Sequence, residues 1–400
     1  MDIDSPAILG GDPVFENKLG IVRPQLPKLS SIQERLKLAL ISGQLTNQGK
    51  YVETLEKKLS EYFGVSHVIT TSNATLGLII VLKALEREGE VILPSFTFAA
   101  TGHAVSWAGL KPVFADILPD TYTLNPESVA ELINKNTVAA MGVHIYGHPC
   151  EIDELSKIAV QNRLELIFDS AHAFGSYYKN KIIGSFGRAE VLSFHATKIF
   201  PVGEGGAILT NDGELATRLK LLRVFGDPGT ENTQLIGLNA KMQEFNALIG
   251  LENLKVINRH IETRRKRAQL MKSLLNETPG LQTQKERSYV VSNYQNFPLC
   301  IEENRFGLDR DQLCSALLAE NIGIRKYFYP PLHKHKSYIN NSDGNRKQLN
   351  VTNDVSNRIL CIPIYSDTTE EEVHKICFAI KKIYLHSKAI RKFIIKNDKN

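Results

Sequence analysis

The sequence predicts an α/β protein that has a large domain with a mainly parallel mixed sheet and a smaller C-terminal α+β domain. Short apolar runs alternate with helical stretches between about residues 67 and 169. Two closely spaced strand-like runs follow, and the composition becomes more polar after about residue 275. Alternating strands and helices are typical of a parallel sheet, and 400 residues are enough for more than one domain.

The N-terminal segment, residues 1–40, is expected to form an irregular arm on the surface of the body. It carries prolines at positions 6, 13, 24 and 27. Proline lacks the backbone N–H that regular helices and sheets use. A helix is predicted after Thr46, with Asn47 as its N-cap and Gly64 as its end, because apolar residues recur between them at helical spacing.

The large domain, residues 41–265, is expected to contain an alternating series of elements. Strands are predicted at 67–70, 90–93, 112–115, 138–143 and 164–168, and helices at about 74–86, 96–107, 126–134 and 151–162. Two further strands, Ala189–Phe194 and Gly206–Thr210, are separated by a loop that is too short for a helical crossover. One of these two strands is therefore expected to run antiparallel.

The small domain, residues 266–400, follows a long helical region. The predicted elements are a helical stretch Lys241–Leu275 interrupted near Asn258, a strand-like segment Tyr289–Leu299, a helix at about 309–321, a strand Ile359–Pro363 and a helix at about 369–385. These elements alternate less regularly than those of the large domain, which indicates an α+β arrangement.

Composition and charge exclude several classes of protein. No apolar run approaches the roughly 20 residues that a membrane helix needs, and the N-terminus lacks a secretory signal pattern. The five cysteines include no C-x-x-C pair and are expected to be buried thiols, so neither a disulfide framework nor a zinc site is predicted. The basic runs Arg264–Arg267 and Lys381–Lys399 are expected to be solvated. We expect a soluble cytoplasmic protein without membrane or nucleic-acid partners.

Candidate chemical groups lie where the predicted strands end. Thr71–Thr75 opens a helix after the first strand, and a helix N-terminus suits a phosphate, although Ser and Thr are also ordinary N-caps. Asp169 ends the fifth strand and either pairs with a cation or caps the next turn. The ends of parallel strands meet at one edge of a sheet.

Lys198 follows the next strand and precedes four residues, 203–206, that include three glycines. A lone lysine is most often a solvated charge, whereas a catalytic lysine must be held close to a reacting group and lose its proton readily. The glycines either let the backbone approach a flat ligand or form a tight turn. No hydrolase, zinc-protease or nicotinamide motif is present.

Taken together, these segments resemble the sugar aminotransferases of the aspartate-aminotransferase-like fold type I pyridoxal phosphate enzymes. The resemblance extends from about Arg23 to Ile380. The segments that carry it, in order, are Ser42–Thr46, Thr71–Thr75, Pro94–Thr101, Val143–Gly147, Asp169–Gly175, Ser193–Lys198 and Tyr329–His333. Each segment is weakly diagnostic alone, but their shared order is specific.

The resemblance implies a role for individual residues. Lys198 resembles the lysine that binds pyridoxal phosphate covalently, Asp169 the carboxylate beside the pyridine nitrogen, and Phe98 the aromatic ring that stacks on the cofactor. His172 matches the residue beside the ring hydroxyl. The phosphate contacts match Ala74, Thr75 and Ser193, with Asn239 reaching the phosphate across a homodimer interface. Relatives often have Tyr and Arg flanking that asparagine, where this chain has Leu238 and Lys241.

The resemblance also implies the reaction. It is greatest to enzymes that move the amino group of L-glutamate to C4 of dTDP-4-keto-6-deoxy-D-glucose, which gives dTDP-4-amino-4,6-dideoxy-D-glucose. Amination at C3 or on another nucleotide-linked keto sugar stays open at this point, and Tyr329 and His333 are loose candidates for sugar contact. A sugar dehydratase of the same fold would carry histidine in place of Lys198. A non-catalytic binding protein is the third alternative.

Overall fold

The protein folds into one large sheet, two small sheets and helices that cover them. The structure is a computed structural model that describes residues 5–339 and 348–397. Its strands are β1 (His67–Thr71), β2 (Glu90–Pro94), β3 (Lys111–Ala115), β4 (Thr137–Val143), β5 (Glu165–Asp169), β6 (Tyr177–Tyr178), β7 (Lys181–Ile182), β8 (Ala189–Ser193), β9 (Gly206–Thr210), β10 (Leu281–Thr283), β11 (Val290–Val291), β12 (Phe297–Ile301) and β13 (Ile359–Ile362).

The α-helices lie between and after these strands. They are α1 (Leu29–Ser42), α2 (Lys50–Phe63), α3 (Ala74–Ala84), α4 (Ala99–Trp107), α5 (Pro126–Leu132), α6 (Ile152–Asn162), α7 (Gly213–Leu222), α8 (Glu244–Leu254), α9 (Ile257–Leu275), α10 (Glu303–Phe306), α11 (Arg310–Ala319), α12 (Lys336–Ile339), α13 (Asn350–Arg358), α14 (Glu370–Leu385) and α15 (Ser387–Asn397).

The large sheet has seven strands in the order β1-β9-β8-β5-β4-β2-β3. Strand β9 runs antiparallel to both β1 and β8, and the remaining pairs are parallel. This confirms the predicted α/β fold and the antiparallel strand beside the Lys198 loop. Because β1, β5 and β8 share one direction, their carboxyl ends lie at the same edge of the sheet.

Helices cover both faces of the large sheet because consecutive side chains of a strand point to opposite faces. In β8, for example, Val191 belongs to a core cluster with Leu78 of α3. The next residue, Leu192, belongs to a different cluster with Leu55 of α2. The strands are mainly apolar on both faces, as is typical of a sheet buried between two helical layers.

The C-terminal part has its own core. Strands β10, β12 and β13 form an antiparallel sheet, and its apolar side chains cluster with those of α9, α11 and α14. Along α9, Ile261 packs in a cluster of the large sheet, whereas Ala268 packs in the C-terminal cluster. This change from one core cluster to the other along α9 supports the proposed boundary between the two domains near residue 265.

The structure corrects several local predictions. The arm is not irregular to residue 40, because α1 begins at Leu29. Helix α2 is capped at Gly49 rather than Asn47, whose backbone has a φ of 63° outside the helix. The predicted strand Tyr289–Leu299 is two strands, β11 and β12, which belong to different sheets. Gly64 ends α2 in the left-handed conformation, as predicted.

The structure also tests whether the two basic runs are solvated and whether the cysteines are buried, as predicted. The prediction that the two basic runs are solvated is wrong for Arg264 in the first run and for Lys382 in the second, because both side chains are buried. The tail forms helix α15 up to Asn397, and Lys399 lies outside the described residues. All five cysteines are buried free thiols, as expected. No helix among residues 5–339 and 348–397 is long and apolar enough to cross a membrane.

Candidate active site

A cavity of about 680 Å³ lies at the carboxyl ends of β1, β5 and β8. Seven of the eight site residues predicted from the sequence line this cavity, although they are far apart in the chain. They are Ala74, Thr75, Phe98, Asp169, His172, Ser193 and Lys198. The sheet brings them together because each of them, or its element, follows the end of a parallel strand.

One wall of the cavity is the N-terminus of α3. The Asn73 side chain accepts a hydrogen bond from the Leu76 N–H at 2.9 Å and so caps the helix. The N–H groups of Ala74 and Thr75 belong to the first turn, where a helix has no internal acceptor for them. With the positive end of the helix dipole, this wall suits a phosphate group.

The glycines after Lys198 have packing and turn roles. A Cβ at Gly206 would lie 2.7 Å from the Ala74 backbone nitrogen, so β9 passes close beneath the start of α3 only because this residue is glycine. Gly203 has a φ of 95° and forms the turn that returns the chain to β9. The predicted tight turn is therefore present at Gly203.

Asp169 is a buried carboxylate at the end of β5, with 5% of its surface exposed. Its Oδ2 accepts a hydrogen bond from Thr101 Oγ1 at 2.8 Å, and its Oδ1 accepts one from the Ala171 N–H at 3.1 Å. It therefore caps the next turn as well as facing the cavity. Burial raises the pKa of Asp169, and these hydrogen bonds oppose part of the increase.

Lys198 is held in a loop that is fixed from both sides. The loop crosses between β8 and β9, with the Ala196 N–H donating to Gly203 O at 2.8 Å. The buried amide of Gln295 donates to Thr197 O at 2.9 Å and accepts from the Ile199 N–H at 2.8 Å. One side chain thus holds the peptide groups on either side of Lys198, which limits the positions that the lysine can take.

The environment of Lys198 makes its amine easier to deprotonate. Desolvation lowers its pKa from 10.5 to about 8, while the negative charge of Asp169 opposes part of the decrease. The same desolvation, together with the positive charge of Lys198, holds the pKa of His172 well below its usual value. The Nδ1 of this neutral imidazole accepts a hydrogen bond from the Tyr146 N–H at 3.2 Å.

This lowered pKa predicts how reaction of an aldehyde with Lys198 depends on pH. Only the neutral amine attacks a carbonyl, so the rate should rise with pH through about 8 and level off above it. The measurement is the rate at which pyridoxal phosphate absorbance changes on mixing with cofactor-free protein between pH 6 and 10.5. A rate that keeps rising to pH 10.5 would indicate an ordinary, solvated lysine.

Three residues considered from the sequence do not line this cavity. Asn239 is exposed, and its Oδ1 accepts a hydrogen bond from Lys241 Nζ at 2.6 Å. His333 is bound to Ser95, with its Nδ1 2.7 Å from Ser95 Oγ. Tyr329 lies on a smaller neighbouring cavity that Phe98 also lines. Within a single chain, Asn239 therefore does not line the cavity with the other predicted phosphate contacts, although its neighbour Ala240 accepts a hydrogen bond from the Ser72 N–H at 2.8 Å.

Sequence reasoning missed several residues that shape the site. Thr101 donates to Asp169 and is itself bonded to Thr97, with 2.8 Å between the hydroxyl oxygens. Thr101 lies in α4 but Thr97 precedes the helix, so helical spacing does not indicate this contact. Arg264 lines the cavity and donates to Gln295 O at 2.7 Å. No local pattern indicates that this arginine is buried.

The site fits a flat, cationic ring that carries a phosphate. No cation lies within ion-pairing distance of Asp169 in the part of the chain that the structure describes, so this buried carboxylate needs a positive partner. A pyridinium N–H supplies one. The start of α3 offers N–H groups to a phosphate, and Lys198 offers an amine to a carbonyl. This donor set matches pyridoxal phosphate.

Comparison with known proteins agrees with this reading of the site. The DegT/DnrJ/EryC1/StrS aminotransferase family matches residues 28–381. A dTDP-4-amino-4,6-dideoxy-D-glucose transaminase from Escherichia coli is 37% identical over 90% of this chain and 97% of its own. A protein of the same name from Shigella dysenteriae is 34% identical over 92% of this chain and 100% of its own.

Solved structures give the same result. The crystal structure of DesI in the presence of its TDP-sugar product has a TM-score of 0.91 and 35% identity, and the match covers 98% of this chain and 99% of DesI. Helicobacter pylori PseC, an aminotransferase involved in the biosynthesis of pseudoaminic acid, has a TM-score of 0.85 and 27% identity, over 92% of this chain and 100% of PseC. The chain therefore belongs to the DegT/DnrJ/EryC1/StrS aminotransferase family, and it is a nucleotide-sugar aminotransferase that depends on pyridoxal phosphate.

Proposed function

We propose that this enzyme transfers the amino group of L-glutamate to C4 of dTDP-4-keto-6-deoxy-D-glucose, which gives dTDP-4-amino-4,6-dideoxy-D-glucose. The observation that carries the proposal is a single cavity shared by an easily deprotonated Lys198 and a buried Asp169 that forms no ion pair with the described residues. The choice of sugar is supported by the two dTDP-4-amino-4,6-dideoxy-D-glucose transaminases, which this chain matches over almost their full length.

The side chains of the site have separate tasks in this proposal. Bound pyridoxal phosphate supplies an electron sink for the bond that breaks at the amino acid Cα. Asp169 holds a proton on the ring nitrogen through its negative charge, while Thr101 fixes the carboxylate in place. Ala74, Thr75 and Ser193 bind the phosphate, and Phe98 and His172 contact the ring.

Lys198 acts as both anchor and base. With the cofactor bound, the free amine of Lys198 would be the base nearest to the donor Cα. It would pass the Cα proton to the cofactor in the first half of the reaction, and it would pass a proton from the cofactor to the sugar carbon in the second half. An amine with a pKa of about 8 is suited to both directions, because it exchanges a proton readily near neutral pH.

We further propose that the enzyme is a homodimer in which Asn239 completes the phosphate site of the partner subunit. Helix α1 exposes Leu38, Leu40 and Ile41, with 59%, 57% and 72% of their surfaces accessible. Ile236, close to Asn239, is 89% exposed. Large apolar side chains that are this exposed indicate an interaction surface. A second copy of this chain is the partner that we propose for this surface, because Asn239 is exposed and does not line the cavity of its own chain. In a dimer, Asn239 can reach the cavity of the partner subunit.

The proposed reaction is tested in two halves that use the cofactor as the reporter. Visible absorbance of the bound cofactor should disappear when L-glutamate is added and return when dTDP-4-keto-6-deoxy-D-glucose is added. Product mass and NMR then identify the carbon that carries nitrogen. Controls are dTDP-3-keto, GDP-4-keto and UDP-4-keto sugars.

The proposed amino donor and the proposed acceptor sugar can be contradicted separately. An absorbance that does not respond to glutamate would overturn the choice of amino donor. Preference for a 3-keto, GDP or UDP sugar would overturn the choice of acceptor.

A further inference from the structure

The N-terminal arm forms one wall of the active-site cavity, although it lies before residue 28, where the family match begins. Ile21, Val22, Arg23 and Gln25 all line the cavity. These side chains line the same cavity as the proposed cofactor-binding residues, so they can contact a substrate that binds there.

The arm is fixed to the C-terminal part by a buried ion pair. Glu320 is fully buried and lies 2.9 Å from Lys382 Nζ. The two Glu320 oxygens also accept hydrogen bonds from the Ala7 and Val14 N–H groups, at 3.0 and 2.9 Å. Further along, the Leu19 backbone pairs with the chain at residues 321–323. A carboxylate with this many donors is well compensated for its burial, so the arm has a fixed path.

Arg23, two residues before Gln25, fixes this part of the arm through its side chain. Its guanidinium donates to Glu372 at 2.7 Å, lies 3.5 Å from Asp367 and stacks over the Tyr365 ring at 4.4 Å. Pro24 restricts the backbone that follows. Gln25 is thus presented to the cavity from a constrained position.

Arg23, the charged residue of this wall, is neutralised by its ion pairs with Asp367 and Glu372. An arginine that is already paired in this way attracts a substrate carboxylate less than a free arginine would. The wall suits a neutral sugar ring, whose CH groups can pack on Ile21 and Val22.

Gln25 has an unused hydrogen-bonding group at this wall. It is half-buried, and its side-chain amide forms no hydrogen bond with residues 5–339 or 348–397. An amide both donates and accepts, as a sugar hydroxyl does, so the two are complementary. We propose that Gln25 is a specificity-determining residue that hydrogen-bonds a hydroxyl of the keto sugar, and that Arg23 positions it. This inference rests on the proposed function.

The test compares Gln25→Ala with Gln161→Ala, which changes an exposed glutamine on α6. Gln25→Ala should raise KM for dTDP-4-keto-6-deoxy-D-glucose about tenfold, because one hydrogen bond to the substrate is lost. Its glutamate half-reaction, followed by cofactor absorbance, should stay within about twofold of the unmutated enzyme. Gln161→Ala should change neither value.

Arg23 is tested as a positioning residue by Arg23→Met and Arg23→Lys. Arg23→Met should raise KM for the keto sugar with little change in the glutamate half-reaction, and Arg23→Lys should restore part of the loss. A purely structural role would instead slow both halves alike.

The outcomes separate this inference from the proposed function. An unmutated enzyme that aminates none of the keto sugars would contradict the proposed function itself. If the unmutated enzyme reacts but Gln25→Ala keeps its KM for the keto sugar, only the Gln25 inference is overturned. Equal slowing of both half-reactions in Gln25→Ala would also overturn it. If the enzyme prefers another keto sugar, the same comparison is made with that sugar.

Discussion

Replacing Lys198 with alanine should lower the transamination rate by at least about 1000-fold, because the anchor and the base are removed together. The visible absorbance that depends on the covalent link should shift to that of free pyridoxal phosphate. Measurements of product formation and of absorbance spectra on the same sample check both statements. Lys198→Arg should be equally inactive, since a guanidinium stays protonated and does not attack a carbonyl.

The matched control is Lys220→Ala, which changes an exposed lysine on α7. This variant should keep the rate and spectrum of the unmutated enzyme. Melting temperatures of the cofactor-free forms show whether Lys198→Ala still folds. A folded Lys198→Ala enzyme with more than about a tenth of the original rate would exclude Lys198 as the base.

Asn239→Ala should lower activity by roughly 10- to 100-fold, because a hydrogen bond to a charged phosphate is lost. The larger effect is expected in a mixed dimer that combines a Lys198→Ala subunit with an Asn239→Ala subunit. If Asn239 serves the partner, one site of this dimer has both residues intact and the other has neither. The mixed dimer should then recover about half of the original activity, because a C2 dimer has two equivalent sites.

The design uses two affinity tags, so that only mixed dimers are purified and assayed. The control pairs Lys198→Ala with Asp169→Asn, two residues that line the same cavity of one chain. Neither site of that dimer is intact, so no recovery is expected. If the Lys198→Ala and Asn239→Ala pair recovers no more than half of the Asn239→Ala rate, Asn239 acts within its own chain. A monomeric enzyme would contradict the shared site directly.

Much of the large sheet could be predicted because its pattern is local. The strands that end at Thr71, Asp169 and Ser193 are short apolar runs, and each prediction lies within about a residue of the observed bounds. Burial on both faces makes such runs continuous in sequence. The antiparallel strand β9 was predictable as well, since the length of the Lys198 loop excludes a helical crossover.

Local sequence patterns gave wrong predictions where contacts with distant parts of the chain decide whether a residue is helical or buried. Helix α1 is hard to detect because only Ala39 is buried, so the usual apolar face is missing. Arg264 belongs to a basic run, yet its side chain is buried because Tyr294 O and Gln295 O accept its hydrogen bonds. Neither carbonyl can be identified from the sequence around the arginine.

Sequence patterns were enough to identify the family, the alternation of strands and helices, and the residue types that suit pyridoxal phosphate. These follow from periodicity and from motifs that stay in order along the chain. The folded structure was needed to show that Gln295 holds the Lys198 loop, that Gly206 is needed beneath α3, and that the arm places Gln25 at the cavity. The physical reason is that each of these contacts joins segments distant in sequence, and its energy depends on burial and geometry that no single segment contains.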